Sequence, residues 1–351
     1  MVERLPTIAH LTSVHQVDDI RIFVKECRSL AAAGFDVALI GPSPSDRETE
    51  GVKIMGVPAP ANRIQRMTVT LWQVLKRAFQ SKARICHFHD PELIPVGFLL
   101  KLAGRQVVYD VHEDYPRDIM HKDWIHPHMR RLLAGAADVV EWGVTRVIDG
   151  TIAVTPDIAA RFPKTKTITL RNFPSLAELG TKAPVPYQER PFKVCYVGGL
   201  TINRGVFDMI DAIGALDTKG IDDPCLALAG RFANPSDEAE SRAMPGWART
   251  DHLGWLDRGE IVRLFGSVRV GLVVLHATSC YESAYPIKLF EYMAAGLPTI
   301  ASDFPLYREI LDDGRCGLLV PPSDPAAMTE AIEWLFTHPI EAEAMGERAR
   351  E

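Results

Sequence analysis

Residues 285–302 read Tyr285-Pro-Ile-Lys-Leu-Phe-Glu-Tyr-Met-Ala-Ala-Gly-Leu-Pro-Thr-Ile-Ala-Ser302. Pro286 suits the first turn of a helix, Gly296 suits its end, and Pro298-Thr-Ile-Ala enters a strand. Helix, tight turn and strand in that order form half of a β-α-β unit. The same alternation extends in both directions. Short apolar runs at 7–11, 35–40, 53–57, 85–88, 106–110, 151–154 and 167–170 are separated by amphipathic stretches of helical period. A second series runs through 192–197, 225–229, 268–275, 298–301 and 317–320. Such alternation predicts an α/β chain with parallel sheets.

Asn172-Phe-Pro174 closes the first series, and the proline-bearing stretch 175–191 reads as a linker. The expected organisation is therefore a domain over 1–174, a linker over 175–191 and a second domain over 192–351. Both are Rossmann-like and doubly wound, and they face each other across a cleft. A length of 351 residues fits about two hydrophobic cores. In such sheets ligands sit beyond the carboxyl ends of the strands, so the loops there should carry the chemistry.

Composition is that of an ordinary globular protein, 47% hydrophobic and 24% charged, which excludes a disordered chain. The longest apolar run, 93–103, is interrupted by Pro95, Gly97 and Lys101 and falls short of the ~20 residues that cross a bilayer. The N-terminal Met-Val-Glu-Arg-Leu-Pro lacks the layout of a secretory leader. Six scattered cysteines without a C-x-x-C pair read as reduced thiols, and a cytoplasmic protein is expected. The net charge of -6 divides unevenly, about +4 over 1–172 and -10 over 173–351. The first half is thus the one suited to an anionic surface.

Two segments carry recognisable chemistry. In Tyr196-Val-Gly-Gly-Leu-Thr-Ile-Asn-Arg-Gly-Val206 a strand runs into Gly198-Gly199, and a helix begins near Gly205. Backbone N–H groups and the helix N-terminus can face a diphosphate there, with Arg204 adding fixed charge. A plain Gly-Gly turn with a solvated Arg explains the segment equally well. No dinucleotide Gly-x-Gly-x-x-Gly follows the strand, which argues against a nicotinamide or flavin dehydrogenase. In the opening segment Lys288 lies one turn before Glu291. The lysine can face phosphate while the carboxylate accepts from ribose hydroxyls, and a surface Lys–Glu pair is the bland alternative.

Taken together the chain resembles the GT-B glycosyltransferases of the retaining family 4, in the branch of bacterial polysaccharide and glycolipid enzymes (glycosyltransferase group 1). The matching pieces are His15 with Asp19-Ile-Arg-Ile-Phe-Val-Lys-Glu26, His87-Phe-His-Asp-Pro-Glu-Leu93 and Val108-Tyr-Asp-Val-His-Glu113. Val197-Gly-Gly-Leu-Thr201 with Arg204-Gly205, Leu253-Gly-Trp-Leu256 and the segment Pro286 to Pro298 complete them. The resemblance implies a hexosyltransferase acting on a nucleotide-diphosphate sugar, with no cofactor beyond that donor. It places Gly198, Gly199, Arg204 and Lys288 at the phosphates, Glu291 on the ribose, and Gly254, Trp255 and Leu256 near the base. His112 would reach the transferred sugar, and the first domain would bind a saccharide or lipid-linked acceptor. Many members carry a glutamate eight residues before the ribose glutamate. Here that position is Ser283, with Glu282 adjacent as a substitute, and Gly199 stands where an arginine is common. The chain also stops where members usually add a segment returning to the first domain.

Cationic side chains in place of a divalent ion imply a metal-independent reaction, and the resemblance implies retention of configuration. His87 and His89 share one strand face, but spacing supplies no third ligand, so no metal site is expected. Asp110, His112 and Glu113 lack the Gly-x-Ser-x-Gly elbow of a hydrolase. The stretch 62–84 carries Arg63, Arg66, Lys76, Arg77, Lys82 and Arg84 beside Ile64, Met67, Leu71, Trp72, Leu75 and Phe79. Either it packs on its sheet as an ordinary helix or it lies on the anionic inner face of a membrane. No nucleic-acid partner is expected. Two other functions fit the same pattern: a sugar-nucleotide 2-epimerase and a non-catalytic sugar-nucleotide-binding subunit.

Overall fold

The computed structural model describes residues 5–120, 125–174, 176–179, 185–216, 220–278, 281–282 and 284–351. The chain divides into two compact units after Asn172. In the first, strands β1 (Ile8–Leu11), β2 (Val37–Pro42), β3 (Arg47–Thr49), β4 (Val52–Val57), β5 (Ile85–Phe88), β6 (Gln106–Val111), β7 (Gly150–Ala153) and β8 (Thr167–Thr169) form one sheet. Their order is β3-β4-β2-β1-β5-β6-β7-β8. Every pairing is parallel except the short β3, which runs antiparallel to β4. The second unit holds β9 (Lys193–Val197), β10 (Cys225–Ala229), β11 (Thr250–Gly254), β12 (Val270–Val273), β13 (Thr299–Ser302) and β14 (Leu318–Val320). These lie in the order β11-β10-β9-β12-β13-β14. This is the doubly wound α/β architecture read from the sequence.

Side-chain alternation explains why both faces are covered. Val37 and Leu39 enter a cluster with Ile22, Phe23 and Cys27. Ala38 and Ile40, pointing the other way, pack with Val74, Phe88 and Leu100. In the second unit Val194 and Tyr196 join one core, while Cys195 joins the other. Period-2 strands that are apolar on both faces require helices above and below, which is what parallel sheets provide.

The stretch expected as a linker is anchored where it is described. The Tyr187 hydroxyl donates to the Arg269 carbonyl at 3.1 Å, and Arg190 donates to the Val268 carbonyl at 2.9 Å. Burying a phenol and a guanidinium against the second unit makes 185–190 part of that unit rather than a spacer. Residues 175 and 180–184 lie outside the described residues.

The basic stretch 62–84 is helical over Arg63–Gln65, Arg66–Thr70 and Leu71–Gln80. Asn62 caps it by accepting from the Gln65 N–H at 2.9 Å. Thr70, Val74 and Ala78 face the core, whereas Ile64, Met67, Trp72 and Phe79 are 78, 53, 62 and 42% exposed. Packing on the sheet and an exposed apolar stripe therefore coexist on one helix. Two of its cations are neutralised, Arg66 by Glu92 at 2.9 Å and Arg77 by Asp46 at 3.0 Å. Among the described residues no helix is long and apolar enough to cross a membrane.

Candidate functional site

The turn after β9 is shaped by contacts that only glycine permits. Gly198 has φ +147°, and a Cβ there would lie 2.3 Å from Lys288 Cε and 2.5 Å from its Nζ. The lysine therefore lies directly across the turn. Gly198 N–H is spent on the Ala229 carbonyl at 2.8 Å, and Leu200 N–H on Arg231 at 2.9 Å. A Cβ on Gly199 would stand 3.0 Å from Arg204 Nη1, so the guanidinium closes over the same turn. Gly205 then takes φ +73° and starts the helix Val206–Ala215, with Val274 O so near that a Cβ would stand 2.2 Å from it.

Lys288 and Arg204 thus converge on one backbone turn beside a helix N-terminus. Burial first, and Arg204 second, lower Lys288 to about 8. Two cations held together away from water favour a polyanionic ligand between them. The Lys288 Nζ also lies 5.7 Å from the centre of the Tyr196 ring. Arg204 Nε donates to the Tyr281 hydroxyl at 3.4 Å.

The opening segment forms the helix Ile287–Ala294, entered from Pro286 and ended at Gly296, φ +65°. Leu289 and Tyr292 lie on its core side, which turns Glu291 inward to 8% exposure. Lys288 and Glu291 do not form the surface pair that their spacing allows. Instead Arg258 Nη1 donates to Glu291 Oε1 at 2.5 Å. Arg258 also holds Glu178 through Nε at 2.6 Å and Nη2 at 3.3 Å. Arg258 thus bridges the two carboxylates, with one bond to Glu291 and two to Glu178, and the lysine is left to the glycine turn. Glu291 Oε2 remains as the oxygen through which a ribose can be met.

The loop expected near the base lies at the end of β11. Gly254 takes φ +66°, Trp255 is 73% exposed, and the Arg231 guanidinium sits 5.8 Å from its ring centre. Leu256 points the other way, into the core. Glu282 is exposed on the loop after β12. Ser283 falls outside the described residues.

His112 lies in the first unit, just beyond β6. It lines a cavity of about 210 Å³ together with His15, His89, Asp90, Asp110 and Tyr115. Its Nε2 is 3.2 Å from His15 Nε2. Hydrogen bonds to Asp19 and then Asp90 raise His15 to about 10, whereas burial lowers His112. His15 Nε2 is shared between Asp90 Oδ1, at 3.3 Å, and His112, and the Nδ1 of His112 is buried without a hydrogen-bond partner.

Sequence reading missed Arg258, Tyr281 and the ion pair of His276 with Asp208 at 2.6 Å. The first was detectable: Asp257 and Glu260 form a capping box, which fixes Arg258 as the first residue of its helix. Its partners, Glu178 and Glu291, are too distant in sequence for any local pattern to join them.

The two sheets with this strand order define the GT-B fold. Solved structures agree: the Anabaena protein Alr3699/HepE, in complex with UDP-glucose, superposes with a TM-score of 0.72 at 13% identity, over 99% of this chain and 94% of that one. WaaG, a glycosyltransferase involved in lipopolysaccharide biosynthesis, gives 0.72 at 15% identity over 98% and 94%. The family of group 1 glycosyl transferases matches residues 181–351, and the glycosyl transferase 4-like domain matches residues 22–166. Between them the two glycosyl transferase models match most of the chain, one in each of its two units. D-rhamnosyltransferase WbpZ of Pseudomonas aeruginosa is 28% identical over 75% of this chain and 66% of its own length. Phosphatidyl-myo-inositol mannosyltransferase of Mycobacterium leprae is 30% identical over 39% and 35%. The alignments thus span less than two thirds of either relative.

Proposed function

We propose that the chain is a metal-independent, retaining hexosyltransferase of family 4. The second unit binds the nucleoside diphosphate of the donor, and the first presents a hydroxyl of a saccharide or lipid-linked acceptor. The observation that carries this reading is the convergence of Lys288 and Arg204 on the Gly198-Gly199 turn, with the buried Glu291 one helical turn beyond the lysine. Diphosphate charge is met by two cations and a helix N-terminus, the ribose by Glu291, and the base by the exposed Trp255 ring. As the bond from C1 to the diphosphate oxygen breaks, the acceptor oxygen bonds to C1 on the same face. The departing phosphate takes the acceptor proton. His112, which lines the cavity beyond β6, contacts the transferred sugar.

Thermal unfolding in the presence of UDP, GDP, ADP, TDP and their sugars tests the donor site. One nucleotide family should raise the midpoint, since a ligand at 100 times its Kd adds about 2.7 kcal/mol. If none shifts it, the donor assignment fails. Product analysis with and without acceptor then separates a transferase from an epimerase, which alters the free donor.

The acceptor side is assigned to the surface of a membrane's inner leaflet. Trp72 and Phe79 project beside Lys76, and the next helix, Ile94–Leu102, exposes Phe98, Leu99 and Leu102. Apolar rings flanked by cations suit anionic lipid. Replacing both Trp72 and Phe79 with serine should lower binding to anionic vesicles by at least about tenfold, because each buried ring contributes about 1.5–3 kcal/mol. Turnover of a water-soluble acceptor should be unchanged. Equal vesicle binding by the double variant would refute membrane contact through this face.

A further inference from the structure

The first unit contains a second side-chain cluster, which shares only His89 with the cavity that His112 lines. His10 on β1 stands opposite His87 on β5 in the parallel register, and His89 follows two residues later. Glu26 descends from the helix Ile20–Cys27, which covers that face of the sheet through Ile22, Phe23 and Cys27. Glu26 Oε2 lies 3.6 Å from His10 Nδ1, 4.0 Å from His87 Nδ1 and 3.8 Å from His89 Nε2. His10 Nδ1 and His89 Nε2 are 3.0 Å apart. One ligand atom from each residue falls within 4.8 Å of all the others. His10, His87 and His89 are 0, 7 and 1% exposed. Neither carboxylate oxygen of Glu26 makes a hydrogen bond, nor does Nε2 of His10 or His87.

We propose that His10, Glu26, His87 and His89 hold one divalent transition metal of the zinc class in a closed, structural site. Three imidazoles and one carboxylate form a ligand set typical of zinc, and bonds of about 2.0–2.1 Å in a tetrahedron put ligand atoms about 3.4 Å apart. The separations above scatter around that value. Outer contacts match as well. His89 Nδ1 meets Asp110 Oδ2 at 3.1 Å, and Arg21 fixes Asp110 with bonds of 2.9 and 2.8 Å. With its proton given to Asp110, His89 turns the lone pair of Nε2 toward the centre of the cluster, the arrangement that orients metal-bound histidines. A purely hydrogen-bonded network explains less. It accounts for the contact between His10 and His89 but leaves Glu26 unsatisfied, because the Arg21 Nε–H, though 3.2 Å from Glu26 Oε1, is directed at Asp110.

Sequence spacing supplied only His87 and His89. The remaining ligands come from an adjacent strand and an overlying helix, so only the fold brings four together. Four protein ligands saturate a tetrahedral ion and leave no open position. The metal therefore ties β1, β5 and the helix Ile20–Cys27 together, and the transfer reaction at the donor site remains metal-independent.

The test strips the full-length chain with a chelator and titrates it with Co²⁺, followed by competition with Zn²⁺. One equivalent of Co²⁺ per chain should give the intense visible bands of tetrahedral coordination, zinc should displace it, and zinc should raise the unfolding midpoint. His87→Asn and Glu26→Gln should abolish the bands. Asp110→Asn, which loosens both the hold on His89 Nδ1 and the pairing with Arg21 while leaving the four ligands in place, should weaken binding about 10–100-fold. Replacing the surface pair His126 and His128, whose rings lie 5.3 Å apart, should change nothing. Weak octahedral bands, no bound ion, or loss of binding only in the His126/His128 variant would overturn the proposal. If the ligand variants fail to fold, the spectrum and stoichiometry of the unaltered chain and of the surface-pair variant decide it.

Discussion

Lys288→Met is expected to stabilise the donor-free protein while removing most of its activity. The Nζ lies against Gly198 and faces Arg204, and burial with that like charge lowers it to about 8. An unfolded chain holds the same proton up to about 10.4. Below about pH 8 the lysine is charged in both states, and the penalty for burying it is fully present. As pH rises from about 8 to 10.4 the unfolded chain binds the extra proton, so stability rises with pH in that window. Methionine keeps the stem and removes the charge. It should add on the order of 2 kcal/mol at pH 7, allowing for the solvent the side chain still touches.

Activity moves the opposite way, because a diphosphate is the partner that the cation lacks. Losing one charge-assisted contact of about 1.5–3 kcal/mol should cut kcat/KM by roughly 10–100-fold. For the unaltered enzyme, donor affinity should be flat below about pH 8 and weaken up to about tenfold per pH unit above it, as binding takes up one proton. Calorimetry in buffers of different ionisation enthalpy reads that proton directly. A methionine variant that is less stable, yet binds donor as before, would sink the assignment.

Glu291→Gln should lose about 100-fold in affinity for a nucleoside diphosphate and little for inorganic pyrophosphate. A carboxylate accepts from both ribose hydroxyls, whereas an amide offers one acceptor and a misplaced donor. Two charge-assisted hydrogen bonds weakened together amount to about 3 kcal/mol. The fold should survive, because Arg258 keeps Glu178 as its counter-ion. Arg258→Ala inverts the pattern. It strands Glu291, only 8% exposed, beside an unpaired Glu178 and should lower stability by about 2 kcal/mol or more. Equal loss of pyrophosphate binding in Glu291→Gln would place this glutamate at the phosphates instead.

The fold was legible because twelve of the strands are apolar runs between turn signals. The two that escaped are β3, Arg-Glu-Thr, and β11, Thr-Asp-His-Leu-Gly, both at sheet edges where one side needs no apolar cover. At the site, residues adjacent in sequence were readable. Gly198, Gly199 and Arg204 meet as their spacing implies, and the pattern around Pro286 and Gly296 marked the Glu291 helix. What escaped was pairing across distance. Glu291 chose Arg258 over its helical neighbour Lys288, and His10 joined His87 through strand register. Periodicity reports which way a side chain points along one element, but not which element lies opposite.

The meeting of Gly198 with Gly230 has a consequence for how this protein tolerates change. A Cβ on Gly230 would stand 1.8 Å from the Gly198 carbonyl oxygen, and one on Gly198 would collide with Lys288. The first clash is with backbone and no rotamer relieves it; at Gly198 the end of the lysine could swing aside, but φ +147° strains any other residue there. In a saturation library the two positions would stand out as columns that accept glycine alone, amid surface loops that accept almost anything. The most restrictive feature of the donor turn is thus the room it leaves, a constraint expressed through two missing side chains.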